Sequence, residues 1–391
     1  MDFAALIADR SRRIDASGIR RVFELGQSLA DPINLSIGQP DYPVPEPIKR
    51  AAVEAIEHDR NGYTVTQGMK PLIERTERHL AWDLGWTGFG VADGPRAIAT
   101  SGTSGALVLV AMALLGEGDE FICPDPYFVM YPHLATMFGG KAVFCETYPD
   151  FRMTAERVEP LLTERTKFVL LNSPSNPCGT VLTRAECADL LDLCRRRNVL
   201  LVSDEIYDEF TFSDSLTDPA AGDADRMRCP SPARLPGAQD SVLVIRGFGK
   251  TYGLTGWRMG YAAGPAGLMN ELSKLQQYTY VCPPSMAQWG CLAAFDVDMQ
   301  PHVAEYQRRR DLVAKKLGRV TDVAVPGGAF YTFFAAPKGE TGIAFAERAV
   351  EQNVLVIPGS VFSGRDTHLR LSFATDPSKL ERGLDVLASM Y

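Results

Sequence analysis

Lys250 and Arg258 share one short segment, Arg246–Gly260, which reads RGFGKTYGLTGWRMG. A strand-like run, SVLVI, delivers the chain into it. Two cations this close in a glycine-rich, otherwise apolar stretch repel each other and lose hydration unless an anion lies between them. A phosphorylated aldehyde meets that demand, because a lysine amine condenses with the carbonyl and an arginine fork suits the phosphate. A third charge stands upstream. Asp204 ends the apolar run VLLVSD, where an unpaired carboxylate is costly and a cation is therefore implied. The protonated ring nitrogen of an aromatic cofactor would serve, and would make that ring an electron sink. The plainer alternatives are a solvated lysine at 250 and a helix-capping aspartate at 204.

Other stretches carry similar double readings. SGTSGAL runs from a strand end into a helix, so Gly102, Thr103 and Ser104 can form an anion cradle or simply a helix N-cap. NSPSNPCGTV holds Asn176 before a proline, which is also a good turn former, and a cis bond at Asn176–Pro177 is expected. Gly38 in IGQPD lets backbone approach a ligand or makes a turn. Phe128 in CPDPYFVMYP offers a flat face to a ring or packs in a core. Arg370 in HLRLSFA is a two-pronged carboxylate clamp or an exposed strand arginine.

Taken in order from about residue 20 to the C-terminus, these segments resemble the class I and II pyridoxal-phosphate aminotransferases of fold type I. The lysine motif of that family reads roughly S-K-x-Y-x-x-x-G-x-R-x-G, with Gly249 here in the place of serine. N-x-P-x-N-P-T-G is matched with Cys178 for threonine, and R-x-S-x-A is matched at Arg370. The resemblance implies pyridoxal 5'-phosphate as cofactor and Lys250 as Schiff-base lysine and general base. It places Asp204 on the ring nitrogen, Asn176 and Tyr207 on the phenolic oxygen, and Phe128 over the ring. It assigns the phosphate to Gly102, Thr103, Ser104 and Arg258, with Tyr63 of NGYTVTQGMKPLIE reaching the phosphate of a partner subunit, and hence a homodimer. Gly38, Asn176 and Arg370 are the implied substrate contacts. The implied reaction is ping-pong transamination between an L-amino acid and a 2-oxo acid, with 2-oxoglutarate as the expected acceptor. Two alternatives stand beside it: a C–S beta-lyase on the same scaffold, and an aminotransferase-like regulatory module. Ser104 occupies a position where some aspartate-reading members carry lysine, while Tyr127, Tyr131, Phe330 and Tyr331 suit an apolar or aromatic substrate or a core.

The elements that must hold these residues follow from periodicity. Seven short apolar runs beginning at AIAT, most of them separated by helical or turn segments, predict an α/β domain with a large, mostly parallel sheet. After residue 275 the pattern changes to amphipathic helix, strands and a final helix. The expected division is an N-terminal arm at 1–45 joining a small domain, a large cofactor-binding domain at 46–275, and a small α/β domain at 276–391. Residues 11–30 read as a basic amphipathic helix, and 213–240 as a surface excursion without an assigned role. The 391 residues are 46% apolar and 23% charged, ordinary globular proportions, and the net charge of -8 disfavours nucleic acid or anionic membrane as partner. The N-terminal apolar run is too short for a secretory signal, and eight scattered cysteines suit a cytoplasmic protein without a metal site.

Overall fold

A computed structural model describes residues 1, 3–16, 18–19, 22 and 29–391. The helix expected over 11–30 falls in part outside the described residues; the described part holds a short helix, Asp9–Arg12.

The large sheet has seven strands: β1 Arg96–Ser101, β2 Glu120–Asp125, β3 Lys141–Glu146, β4 Thr166–Asn172, β5 Leu200–Asp204, β6 Val242–Gly247 and β7 Met259–Gly264. Their spatial order is β1-β7-β6-β5-β4-β2-β3. All pairings are parallel except the two made by β7. The central strands are continuous apolar runs because both faces are covered. Val169, Leu171, Leu201, Val242 and Val244 enter one core, and Phe168, Leu170, Val202, Leu243 and Ile245 enter the other, the period-two alternation of a strand.

The carboxyl edge of this sheet gathers the chemistry-bearing residues. Gly102 follows β1, Asp204 is the last residue of β5, and Lys250 lies just beyond β6 in the short helix Phe248–Thr251. In register, Asn172 at the end of β4 faces Asp204. The antiparallel sense of β7 also matters. It pairs Met259 with Ser101, so Arg258, just before it, returns to the edge where Gly102 begins its helix.

A second, smaller layer is built from the strand Tyr331–Ala335 paired with His368–Ser372, which also pairs with Ile357–Pro358. The helices Gln300–Leu317 and Pro377–Ser389 pack against each other beside it. The N-terminal residues Ile33–Asn34 pair in parallel with Val354–Leu355. The helix that follows the division expected after residue 275 packs on the elements of the large sheet. The helix Ser285–Ala294 packs on Glu46–Glu57, and its Ala287, Cys291 and Ala294 lie in the core that holds Val169 and Leu201. On these contacts we propose a division near residue 298.

The stretch 213–240 is also more than a surface excursion. It forms the hairpin Asp218–Ala220 with Asp223–Arg228, then runs into buried residues Arg228 to Ala233. Arg228 and Arg234 reach Asp83, at 2.8 and 2.9 Å, and Arg246 of β6 reaches it at 2.7 Å. Burial alone would push the Asp83 carboxyl up, but the three arginines hold it well below the usual carboxylate range. One buried carboxylate thus ties the helix Lys70–Leu84, the hairpin and β6 together. Removing its charge leaves Arg234 without a carboxylate partner and takes one from Arg228 and Arg246, which keep Glu209 and Glu205. Asp83→Asn should lower stability by about 3–5 kcal/mol, read as a lower urea midpoint at unchanged slope. Because the folded pKa is depressed, the contribution of Asp83 is present throughout neutral pH and lost only as acid drives the group below its usual range.

Candidate active site

Between the carboxyl edge of the sheet and the small layer lies a cavity of about 290 Å³. Gly38, Gly102, Thr103, Ser104, Phe128, Asn176, Asp204, Tyr207, Lys250, Arg258 and Arg370 all line it. Eleven of the twelve residues expected from the sequence therefore converge. Tyr63 does not: it is 89% exposed and outside the cavity.

The Gly102–Leu114 helix points its first turn into the cavity. No side chain of Ser101 caps that turn, so its amides keep the donor capacity of a helix N-terminus. Arg258 lies against it. A Cβ at Gly102 would sit 2.7 Å from Arg258 Nη2, and Gly102 has φ +67°, so glycine is demanded twice. Amides, the Thr103 and Ser104 hydroxyls and a guanidinium make a cradle fit for a phosphate.

Asp204 lies at the floor. The Tyr131 hydroxyl donates to its Oδ2 at 2.9 Å, and the Ile206 N–H reaches Oδ1 at 3.4 Å. Burial pushes its carboxyl up to about 6, against the pull of those two hydrogen bonds. No cation pairs with it among the described residues. Asn172 Nδ2 donates to the Asp204 carbonyl at 2.9 Å, while its Oδ1 accepts the Asn176 N–H at 2.8 Å. The Asn176–Pro177 bond is cis, as the sequence led us to expect. Asn176 Oδ1 in turn accepts from Arg370 Nη1 at 3.1 Å, leaving its NH2 end for the cavity.

Arg370 is buried and pinned. Its guanidinium lies 4.4 Å from the Tyr331 ring centre and 4.7 Å from that of Phe362, and Nη2 donates to the Ser36 carbonyl at 2.8 Å. Its Nε has no partner, a buried donor that an incoming carboxylate would satisfy. Tyr207 donates to or accepts from the Tyr331 hydroxyl at 3.1 Å. Lys250 Nζ donates to the Gly38 carbonyl at 2.5 Å. Gly38 cannot carry a side chain, because a Cβ would come within 2.6 Å of the Tyr331 hydroxyl. Burial first, then the charges of Arg370 and Arg258, bring the Lys250 ammonium down to about 8.

Sequence reasoning missed several lining residues. Asn172 stood inside a quoted motif without a role, and Tyr131 and Tyr331 were left between substrate pocket and core. Ile19 and Ile206 carried no signal. Of the four aromatics considered, Phe330 is core, and Tyr127 does not line the cavity. A larger cavity, about 470 Å³, is lined partly by His79, Asp208, Arg228 and Arg246, whose arginines are engaged by Asp83, Glu205 and Glu209. It holds none of the predicted residues.

Comparison with known proteins decides the family. The model for aminotransferase class I and II matches residues 30–387. The chain belongs to the class I and II aminotransferases. It is 32% identical to a probable aspartate aminotransferase of Methanocaldococcus jannaschii, covering 99% of this chain and 100% of that one. It is 30% identical to an aromatic-amino-acid aminotransferase 2 of Thermococcus litoralis, covering 97% and 96%. The structure of an aspartate aminotransferase from Thermus thermophilus with maleate superposes with a TM-score of 0.89 at 30% identity, covering 98% and 99%. This family uses pyridoxal phosphate, and the cradle, the carboxylate without a cation and the half-buried lysine fit that group. Condensation of a lysine with an aldehyde needs the neutral amine, so attachment at Lys250 would be pH-dependent. Its rate should therefore climb as pH rises from 6 toward 8 and level off above about 8, followed by stopped-flow absorbance on the apoprotein.

Proposed function

We propose that this aminotransferase moves an amino group from an L-amino acid to a 2-oxo acid, with 2-oxoglutarate as acceptor, in a ping-pong cycle centred on Lys250. The carrying observation is the convergence of Lys250, Asp204 and Arg370 on one cavity. Bound pyridoxal phosphate would supply an electron sink for the charge released at the substrate Cα. Gly102, Thr103, Ser104 and Arg258 would hold its phosphate, Phe128 its ring face, Asn176 and Tyr207 its phenolic oxygen, and Asp204 its ring nitrogen. Arg370 grips the α-carboxylate through its unpartnered Nε, with Gly38 and Asn176 completing the contact. That grip fixes where Cα lies relative to Lys250. Lys250, lowered toward neutrality by burial, then takes the Cα proton and returns it on the cofactor side.

The relatives named above carry aspartate and aromatic substrates in their names, so the donor is open within this reading. Among the described residues, no helix is long and apolar enough to cross a membrane. A cytoplasmic setting belongs to the proposal. A homodimer does too. Val53, Ile56, Tyr63, Val65 and Tyr278 are exposed, and Val53 and Ile56 line an apolar groove with Trp257 and Met286, a surface that a second copy would cover.

Lys250→Ala should fold, as judged by circular dichroism, and lose turnover by at least about 10⁴-fold against a panel of amino donors with 2-oxoglutarate. Normal transamination by that variant would sink the mechanism. Release of pyruvate and thiol from cystathionine without any oxo acid would turn the assignment to the C–S lyase. Light scattering should give twice the chain mass, and full activity from a monomer would remove the role of Tyr63.

A further inference from the structure

Nothing in the family motifs gives Tyr131 a task, yet it is among the largest fully buried side chains of the chain. It opens the helix Tyr131–Phe138, where its N–H bonds to the Phe128 carbonyl at 2.9 Å. Its ring meets that of Phe128 edge to face, at 5.7 Å and 78°. Its hydroxyl donates to Asp204 Oδ2. One residue thus braces the ring-facing Phe128 and contacts the carboxylate at the cavity floor. We propose that Tyr131 is a positioning residue whose hydroxyl keeps Asp204 ionised and aimed at the cofactor's ring nitrogen, a role that rests on the pyridoxal-phosphate reading above.

The argument is one of competing proton affinities. Asp204 and a ring nitrogen facing it share one proton, which stays on the stronger base. Burial strengthens Asp204 as a base, toward the range where it would take that proton itself. A hydroxyl donating to the carboxylate stabilises its charged form and opposes the shift. The other titratable groups facing the pair do not supply this. Glu205, which adds like charge, is engaged by Arg246 at 2.9 Å, and burial holds Tyr207 and Cys123 un-ionised at neutral pH. The Ile206 N–H at 3.4 Å is a long contact, so the Tyr131 bond is the shorter of the two on the carboxylate. Asn172 fixes the Asp204 carbonyl, not its side chain, so rotation of the carboxylate is checked by Tyr131.

The test uses the full chain as wild type, Tyr131→Phe, Asp204→Asn and the double variant, each loaded with pyridoxal phosphate after circular dichroism confirms the fold. Tyr131→Phe keeps the ring against Phe128 and deletes only the hydroxyl. The expected result is cofactor affinity weakened about tenfold, the loss of one hydrogen bond to a charged group. The pH midpoint of the visible absorbance should rise by about half a unit or more, because less positive charge remains on the ring. The kcat should fall while KM for the amino donor stays within about twofold. In the Asp204→Asn background the same change should alter affinity by less than about twofold, since the hydroxyl acts through the carboxylate. Wild-type affinity and midpoint in Tyr131→Phe, or an equal loss in both backgrounds, overturns the proposal and leaves Tyr131 as packing. If Tyr131→Phe does not fold, Tyr131→His retains a donor: an unchanged midpoint supports the role and a shifted one overturns it. A wild-type chain that shows no visible band with the cofactor overturns both this inference and the reading beneath it.

Discussion

A carboxylate at the end of a strand buried on both faces has no water to turn to. Asp204 is in that position, and much of the cavity can be understood as the arrangement that makes its charge tolerable. Tyr131 reaches it from the helix after β2, Asn172 clamps its backbone from the paired strand, and the cavity lies in front. The same asparagine passes the constraint on to Asn176, and Asn176 passes it to Arg370. The groups that would hold cofactor and substrate are thereby set by one continuous hydrogen-bonded path across two layers of the molecule. A shift in any member is felt by the rest, as expected for a polar network in a buried setting, where only Arg370 Nε is left for an incoming group.

Beneath this path lies a different kind of support. Asp83 and its three arginines sit away from the cavity, and Arg246 lies on the strand that leads to Lys250. Their mutual pairing holds the hairpin after Asp218 against the sheet. The lysine thus emerges from a strand anchored at one side by a saturated ionic cluster, and its short helix has little freedom to drift.

What could be read in the sequence was local. Lys250 and Asp204 each stand in a stretch whose composition is odd for its setting, while Asn176 and Arg370 were singled out by their resemblance to family motifs; all four line one cavity. The sheet was legible for the same reason, since its central strands are apolar throughout. Illegible features depended on distant neighbours. Tyr131 and Asp204 are 73 residues apart, and no periodicity announces that the first helix turn of one lies over the strand end of the other. Asp83 and Arg246 are separated by 163 residues, so 213–240 looked like loop although it carries two of the arginines. Arg258 could be matched to a motif, but its return to Gly102 needed the reversed direction of β7, which alternation of apolar residues does not encode. Nor does an apolar helix face at Ser285–Ala294 say which core receives it.

The packing of Arg370 against Tyr331 and Phe362 has a consequence for traffic. A guanidinium held against two aromatic rings and bonded to Ser36 and Asn176 cannot swing aside to greet a second visitor. On the proposed reading, then, amino donor and oxo-acid acceptor queue for a single berth. Crowding by one starves the other, and alternation is imposed by the architecture before any chemistry begins.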